Sequence, residues 1–429
     1  MQTLRRVRVM MISVLCTLAL TCKKEPPPAV YIPTLALTAV DASCTEAWLK
    51  LTTTQLPATV RLVRLTPTLH TVQTLQLTTP DTLLIDEGLL PRRTYTYKAY
   101  GLEVRGSGFE VVDSSTQATV TTMDTTSHNF TWQIDTLGTH SSVLYDVAII
   151  NDTLVYAVGE IFHRDSSENW TFFNLAKWNG REWTLHRVYY NGGIFTARWI
   201  LAFSENDIWI EELIHWNGTT FQPRPIDPMF YGVRTTKAWG TSSSDFYVVG
   251  NGGFIAHYDG VRWRRIESGT STHINDAWGV VNPIKGEREV YCPVTSFFTP
   301  GDKKILKITN QTHVDSIPWQ PQRNIYSLWS RTGVPIYVCG STLHVRRGGQ
   351  WWEVNYGASL ALNAIRGEDL NNIFVVGDFG IISHFNGVHW QIVGYDFDSV
   401  YGSVAVARDI MIAVGTKNAR GIITIGRRL

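Results

Sequence analysis

The feature that most constrains the fold of this chain is an internal repeat in its larger, C-terminal part. Residues 238–263 and 364–390 align almost without gaps, and each ends in Asp-Gly or Asn-Gly followed by a Trp three residues after the Gly. Weaker copies occupy residues 176–183, 214–221 and 347–352. Asn-Gly and Asp-Gly tolerate the positive φ angles of a tight turn, so the repeat predicts hairpins between short β-strands.

The repeat also predicts sheets that stack around an axis. Each unit contains four short β runs, and a lone four-stranded sheet cannot bury both of its faces. A spacing of roughly 43 residues is the size of a propeller blade. Segments typical of a first strand begin seven times, at residues 143, 199, 237, 275, 326, 362 and 400. The sequence therefore predicts a seven-bladed β-propeller over residues 128–429.

The last unit lacks a fourth strand, because the chain ends shortly after the run Ile422–Ile425. A candidate replacement lies before the first unit, where Trp132-Gln133-Ile134 matches Trp390-Gln391-Ile392 before the last unit. We therefore expect residues 130–135 to complete the seventh blade and to close the ring.

Residues 30–124 predict a separate β domain. They are rich in Thr, Val and Leu, and alternating runs such as residues 59–65 indicate antiparallel strands of a sandwich. The segment Leu89-Leu90-Pro91 followed by Tyr95 resembles the tyrosine corner of fibronectin type III domains, in which the Tyr hydroxyl bonds to the nearby backbone. This resemblance implies that Trp48 is a core residue and that the domain is a spacer. The alternative is that its edge strands bind a partner.

The N-terminal segment is typical of an exported protein. Residues 1–21 combine Arg5, Arg6 and Arg8 with an apolar run of 12 residues, Val9–Leu20, that is too short to span a bilayer of roughly 30 Å. The run ends in Ala19-Leu20-Thr21-Cys22, which resembles the lipobox of bacterial lipoproteins. The resemblance implies lipidation at Cys22, a Pro-rich tether over residues 22–29, and attachment to the outer membrane or cell surface. An ordinary secretory signal is the alternative.

The pattern Gly-x-Ile-x-His-aromatic-Asp/Asn-Gly-x-x-Trp resembles the BNR, sialidase-like and Ycf48-like repeats of secreted bacterial propellers. The whole arrangement of lipobox, fibronectin-type module and propeller resembles lipoproteins of the Bacteroidetes and Ignavibacteria type. The predicted fold class is all-β, with an N-terminal fibronectin type III-like β-sandwich followed by the propeller. This resemblance implies an architecture more than an activity.

Charge and cysteine content exclude several kinds of site. A formal net charge of +1 offers no electrostatic footprint for nucleic acid. Cys44, Cys292 and Cys339 are too widely separated in sequence for a metal motif, and pairing of Cys292 with Cys339 stays open. His215, His257 and His384 share one repeat position, which predicts a structural role near a turn. We expect no cofactor and no metal.

No catalytic residue is predicted. The chain lacks a phosphate loop, Gly-x-Ser-x-Gly and His-Glu-x-x-His, and its arginines do not form the triad of a sialidase. The acidic pairs Glu211-Glu212 and Glu368-Asp369 are adjacent on the chain, so neither is a catalytic dyad by itself. An extracellular enzyme acting on polysaccharide stays an alternative, as does a purely structural envelope protein.

Aromatic residues on loops are the candidate functional site. In a propeller, loops joining the second to the third strand and the fourth strand to the next unit share one face, where aromatics bind sugars or proteins. The candidates are Trp170, Phe172, Phe173, Tyr189, Tyr190, Phe230, Tyr231, Phe297 and Phe298. We expect a binding protein for an extracellular protein or glycan; capping of the blade ends is the alternative role for these residues. The repeat residues Trp183, Gly260, Trp263, Trp352, Gly387 and Trp390 are expected to be structural.

Overall fold

The structure is a computed structural model that describes residues 34–296 and 302–429. Its regular elements are β-strands and four short 3-10 turns, so the prediction of an all-β protein is confirmed for the described part of the chain. The predicted signal segment (residues 1–21), Cys22, the tether (residues 22–29), Phe297 and Phe298 lie outside the described residues.

Two antiparallel sheets form the N-terminal unit. One has the order β1-β2-β5, and the other has the order β4-β3-β6-β7 with β8 paired to β6. Alternate side chains of β2, including Leu49 and Leu51, share one buried cluster with Leu62 and Tyr97 of the facing sheet. The strands are β1 (Leu35–Ala42), β2 (Glu46–Thr53), β3 (Ala58–Thr66), β4 (His70–Leu77), β5 (Asp81–Glu87), β6 (Thr94–Arg105), β7 (Gly108–Ser114) and β8 (Ala118–Thr121).

The tyrosine corner has the geometry that the sequence pattern suggests. The buried Tyr95 is the second residue of β6, and its hydroxyl oxygen accepts a hydrogen bond of 2.9 Å from the backbone N–H of Leu90. This bond ties the start of the strand to the loop that precedes it.

Trp48 does not lie in the core between these sheets, and the prediction that it does is wrong. It alternates with Leu49 along β2 and therefore points away from the sandwich core. There it is fully buried in a cluster with Trp329 and Tyr337 of the C-terminal unit. Polar contacts border the cluster: Arg347 Nη1 lies 3.1 Å from Glu46 Oε1, and Lys50 Nζ donates to Ile284 O at 3.1 Å. The N-terminal unit is therefore packed against the C-terminal one along this surface.

The described residues of the C-terminal unit form seven four-stranded antiparallel sheets. The first three are β10 (Val143–Asn151), β11 (Leu154–Arg164), β12 (Trp170–Trp178) and β13 (Trp183–His186); β16 (Ile200–Ser204), β17 (Asp207–Ile210), β18 (Ile214–Trp216) and β19 (Phe221–Pro223); and β20 (Thr235–Ser242), β21 (Asp245–Gly250), β22 (Ile255–Tyr258) and β23 (Trp263–Arg265). A small hairpin, β14 (Tyr189–Tyr190) and β15 (Gly193–Ile194), lies between the first two.

The remaining four sheets follow the same order. They are β24 (Trp278–Val281), β25 (Arg288–Val294), β26 (Lys304–Thr309) and β27 (His313–Pro318); β28 (Ile325–Trp329), β29 (Ile336–Gly340), β30 (Leu343–Arg347) and β31 (Gln350–Glu353); β32 (Leu362–Asp369), β33 (Asn372–Gly377), β34 (Ile382–Phe385) and β35 (Trp390–Gly394); and β36 (Ser399–Ala407), β37 (Ile410–Lys417), β38 (Arg420–Arg428) and β9 (Phe130–Leu137). The 3-10 turns are Glu211–Leu213, Pro228–Phe230, Asn251–Gly253 and Asp378–Gly380.

The sheets follow one another in a closed circle. First strands contact each other in the order β10, β16, β20 and β24, and again from β28 through β32 and β36 back to β10, while β25 contacts β28 between these two series. The last sheet is completed from the other end of the unit, because β9 pairs with β38 from Leu137 opposite Gly421 to Phe130 opposite Arg428. This is the strand arrangement of a β-propeller.

Tryptophans fill the contacts between sheets, as the repeat suggests. Trp239 covers Gly279 of the next sheet so closely that a Cβ there would lie 2.1 Å from its Cη2 atom. Trp183, Trp263 and Trp390 pack against the aromatic ring opposite them on the neighbouring strand, with ring centroids 5.1 to 5.4 Å apart. The turns before two of them place Gly260 and Gly387 at φ values of +88° and +98°.

Trp352 does not occupy this repeat position. Trp351 takes the place opposite the third strand and packs on Trp319 with ring centroids 4.8 Å apart, whereas Trp352 points the other way along β31 and is exposed. Gly348 and Gly349 together form a two-residue turn closed by the pair Arg347 and Gln350, and this register places Trp351 opposite Arg346. The prediction for Trp352 is therefore wrong by one residue.

Candidate partner-binding face

Among the described residues, six exposed aromatic side chains lie on the loops of one face or in the strand segments that border those loops. The strand order places on this face the loops that join second to third strands and those that join successive sheets. The exposed residues are Trp170, Tyr189, Tyr231, Phe379, Tyr395 and Phe397, which together we call the aromatic face. Their exposed fractions range from 45% for Phe379 to 71% for Tyr231 and Phe397.

The candidates on the first sheet are supported by neighbouring rings and cations. The guanidinium of Arg164 lies 5.6 Å from the ring centroid of the exposed Trp170. Phe172 is half-buried and stacks on Phe162 with ring centroids 5.0 Å apart. Phe173 is also half-buried, beneath the guanidinium of Arg187 at 5.3 Å. Trp170 is therefore the residue of this group that offers most of its ring to a partner.

Phe230 caps the core and does not belong to the exposed surface. The turn Pro228–Phe230 is fixed by Asp227, whose carboxylate accepts a 3.0 Å hydrogen bond from the N–H of Met229. This turn directs Phe230 inward, where it is buried against Phe254 and Trp263 with ring centroids 5.0 and 4.9 Å away. Phe230 is therefore not one of the exposed rings, whereas the adjacent Tyr231 is exposed.

The structure adds an aromatic cluster that sequence reasoning missed. The rings of Tyr395 and Phe397 lie 4.6 Å apart, and that of Phe379 lies 6.1 Å from Phe397. Phe379 adopts a φ of +55° at the repeat position that Gly252 occupies with a φ of +63°. The sequence signal for this cluster was a phenylalanine at a position where the repeat has glycine. A left-handed backbone conformation costs about 1–2 kcal/mol for residues with a Cβ. Strain of this kind is typical of functional positions.

Glu212 repeats this geometry on the second sheet. It is the middle residue of the turn Glu211–Leu213, its φ is +64°, and it lines a cavity of about 250 Å³. Tyr190, Trp199, Phe230 and Tyr231 contribute the aromatic walls of the cavity. The cavity therefore opens among the residues predicted for the ligand face.

Glu211 is adjacent to Glu212 but does not line this cavity, and its carboxylate is hydrogen-bonded. Its carboxylate accepts a hydrogen bond of 2.6 Å from the backbone N–H of Arg198 and one of 3.0 Å from Nη1 of the same residue. Burial raises the pKa of Glu211 to about 7, although the Arg198 guanidinium acts in the opposite direction. The other acidic pair is also engaged: Glu368 accepts from Asn372 at 3.2 Å, and Asp369 lies 2.7 Å from Arg331.

Buried ion pairs join the first strands near the axis. Lys237 Nζ lies 2.6 Å from Asp146 Oδ1, and Arg366 donates to both oxygens of Asp276 at 2.7 and 2.8 Å. Lys237 and Arg366 also line a cavity of about 270 Å³ with the apolar residues of the first strands. Each charge has an opposite partner, so we interpret this network as a link between sheets.

The three repeat histidines have the same local environment. Nε2 of His215 and of His257 lies 2.8 Å from the aspartate that begins the preceding strand, and Nε2 of His384 lies 3.2 Å from Asn372 Oδ1. Each imidazole also stacks on the aromatic ring opposite it. Within residues 34–296 and 302–429, no cluster of three or more His, Cys, Asp or Glu side chains could hold a metal ion, and Cys44, Cys292 and Cys339 are buried free thiols.

No protein-family model and no curated protein sequence matches the chain. Among solved structures it is similar to Ycf48 bound to a D1 peptide, with 14% identity, a TM-score of 0.52, and coverage of 70% of this chain and 99% of that chain. It is also similar to Ycf48 from Cyanidioschyzon merolae, with 10% identity, a TM-score of 0.49, and coverage of 68% of this chain and 98% of that chain. These identities bear on the fold alone, and the likeness supports a Ycf48-like β-propeller. No helix in the described part of the chain has the length and apolar composition needed to cross a bilayer.

Proposed function

We propose that this protein is a non-catalytic lipoprotein of the cell envelope whose seven-bladed propeller binds a protein partner through the aromatic face. The observation that carries the proposal is the collection of exposed rings on one face, at Trp170, Tyr189, Tyr231, Phe379, Tyr395 and Phe397. Aromatic side chains supply much of the binding energy of protein interfaces. The solved Ycf48 structure with a D1 peptide gives a precedent for peptide binding by a similar fold.

The proposed architecture assigns one blade to each four-stranded sheet. The pairing of β9 with β38 supports closure of the seventh blade by residues 130–135, within a propeller that spans residues 128–429. The two N-terminal sheets and the bond between Tyr95 and Leu90 support a fibronectin type III-like domain over residues 30–124. We infer that this domain orients the propeller as well as spacing it from the anchor.

The proposed location rests on the sequence before the described residues. The basic and apolar segment of residues 1–21, followed by Cys22, favours lipid attachment at the outer membrane or cell surface. Cys22→Ser should move the protein from the membrane fraction to the soluble fraction of cells. Unchanged fractionation of this variant would contradict the lipid anchor.

Partner capture tests the proposed binding face. Full-length protein with Trp170→Ala, Tyr231→Ala and Phe397→Ala combined should lose the proteins that wild type captures from its own cells, with little change in thermal stability. Val261→Ala with Val388→Ala is the matched control, because both valines are exposed on turns of the opposite face. Equal capture by the aromatic variant and wild type would contradict the proposal. Capture of glycans in place of proteins would identify a glycan as the partner.

A further inference from the structure

The cavity beside Tyr231 is large enough to hold one long side chain. Its volume is about 250 Å³, below the roughly 300–1,000 Å³ of pockets that hold drug-sized ligands. Its walls are the aromatic residues Tyr190, Trp199, Phe230 and Tyr231, with Leu213, Ile226 and Val233 as the aliphatic part. Such a lining favours a partner group with an apolar stem.

Glu212 is the charged residue that lines the cavity. Its side chain is half-buried and, among the described residues, makes no hydrogen bond or ion pair, in contrast to the adjacent Glu211. Burial raises the pKa of Glu212, while the Arg198 guanidinium lowers it. A carboxylate that is partly withdrawn from water without a partner gains most from a cation that enters beside it.

The neighbouring charges do not supply that cation. Arg198 is committed to Glu211, with 3.0 Å between Nη1 and Oε1. Arg234 follows the wall residue Val233, but its side chain is exposed and it does not line the cavity. The cavity thus presents, next to aromatic rings, a carboxylate that makes no hydrogen bond or ion pair among the described residues. The faces of such rings also attract cations.

We propose that this cavity, which we name the Glu212 cavity, binds a lysine or arginine side chain of the protein partner. The aliphatic stem would pack against Tyr190 and Tyr231, and the charged head would reach the carboxylate of Glu212. This inference rests on the proposed function, because it takes the partner to be a protein that docks on the aromatic face. It assigns to that partner a basic residue placed opposite Tyr231.

Capped amino acids test the Glu212 cavity without knowledge of the partner. Full-length protein is titrated with N-acetyl methylamides of lysine, arginine and norleucine, and binding is followed by saturation-transfer NMR. Lysine and arginine probes should bind, and the uncharged norleucine probe should bind at least about tenfold more weakly, a difference of 1.4 kcal/mol. Glu212→Gln should weaken the two basic probes by a similar factor and leave the norleucine probe unchanged.

Glu205→Gln is the matched control, because Glu205 is an exposed glutamate on the opposite face of the same sheet. Equal binding of norleucine and lysine, equal loss with Glu205→Gln, or no effect of Glu212→Gln would overturn the inference. Failure of the proposed function is distinguishable, since it appears as unchanged protein capture after substitution of Trp170, Tyr231 and Phe397. Loss of capture with no probe binding would reject the Glu212 cavity alone.

Discussion

Phe379 combines an unfavourable backbone conformation with an exposed ring. Its φ is +55°, and asparagine tolerates this left-handed region better than phenylalanine does. Phe379→Asn should therefore leave the free energy of unfolding unchanged or raise it by up to about 1 kcal/mol, while it weakens partner capture. Urea unfolding and the capture assay measure the two effects. A clear fall in stability would instead identify Phe379 as a packing residue.

The buried carboxyl of Glu211 should make the stability of the folded protein depend on pH. Burial raises its pKa to about 7 in the folded protein, whereas an unfolded chain has a value near 4.3. Between these two pH values the Glu211 carboxyl is protonated in the folded protein and ionised in the unfolded chain. Its contribution to the free energy of unfolding is therefore complete below about pH 4 and is lost as the pH rises through about 7. We expect the free energy of unfolding to fall by roughly 2 kcal/mol between about pH 5 and pH 8.

Glu211→Gln should remove most of this dependence, because the amide cannot ionise but can still accept hydrogen bonds from Arg198. Urea unfolding of both proteins across the pH range measures the effect. Parallel pH profiles for variant and wild type would show that Glu211 is ionised in both the folded and the unfolded chain.

The contribution of β9, the strand that completes the last sheet, can be tested because its backbone N–H groups alternate in direction. Successive N–H groups of β9 point alternately toward β38 and away from it, so only one of Gln133→Pro and Ile134→Pro removes a ladder hydrogen bond. That variant should lose about 1–3 kcal/mol of stability, and the other should lose much less. Thermal unfolding distinguishes them. Small and equal losses would indicate that β9 contributes little to the seventh sheet.

Strand periodicity and turn chemistry made the β-sheets predictable. Asp259-Gly260 and Asn386-Gly387 favour hairpins, and the Trp that follows each turn lies opposite the aromatic residue that ends the strand before it. The match between Trp132 and Trp390 identified a segment that does pair with β38, although about 290 residues separate the two strands. Local rules were sufficient for the hairpins because each repeat is itself a local structure, and the comparison of repeats supplied the distant pairing of β9 with β38.

The candidate site was less predictable than the sheets, because the exposure of an aromatic side chain depends on how the turns and neighbouring sheets pack. Phe230 and Tyr231 are adjacent aromatic residues with similar side chains. The turn that Asp227 caps directs Phe230 inward and leaves Tyr231 exposed. Trp352 was misplaced because Gly348 and Gly349 can each define the turn. Phe379 was recognisable from its departure from the glycine of the repeat, whereas the contact of Phe397 with Tyr395 emerges only when the loop is folded.

The whole molecule differs from two modules joined by a linker. Trp48 illustrates why the sequence could not reveal this: alternation on β2 permits it to face either side, and only the cluster with Trp329 and Tyr337 determines which. Together with the ion pair between Glu46 and Arg347, this contact fixes one side of the N-terminal unit to the propeller. The aromatic face therefore belongs to a body in which the N-terminal unit and the propeller are in direct contact.

Site-specific photo-crosslinking in cells that make this protein tests whether the aromatic face contacts a partner protein. A photoreactive residue is placed in turn at Tyr231, at Tyr395 and at Val261, the last of which is exposed on the opposite face. We expect the residues placed at Tyr231 and at Tyr395 to crosslink to the same partner protein, and the residue placed at Val261 not to crosslink to it. A partner that crosslinks from Val261 and from neither tyrosine would contradict the assignment of the aromatic face.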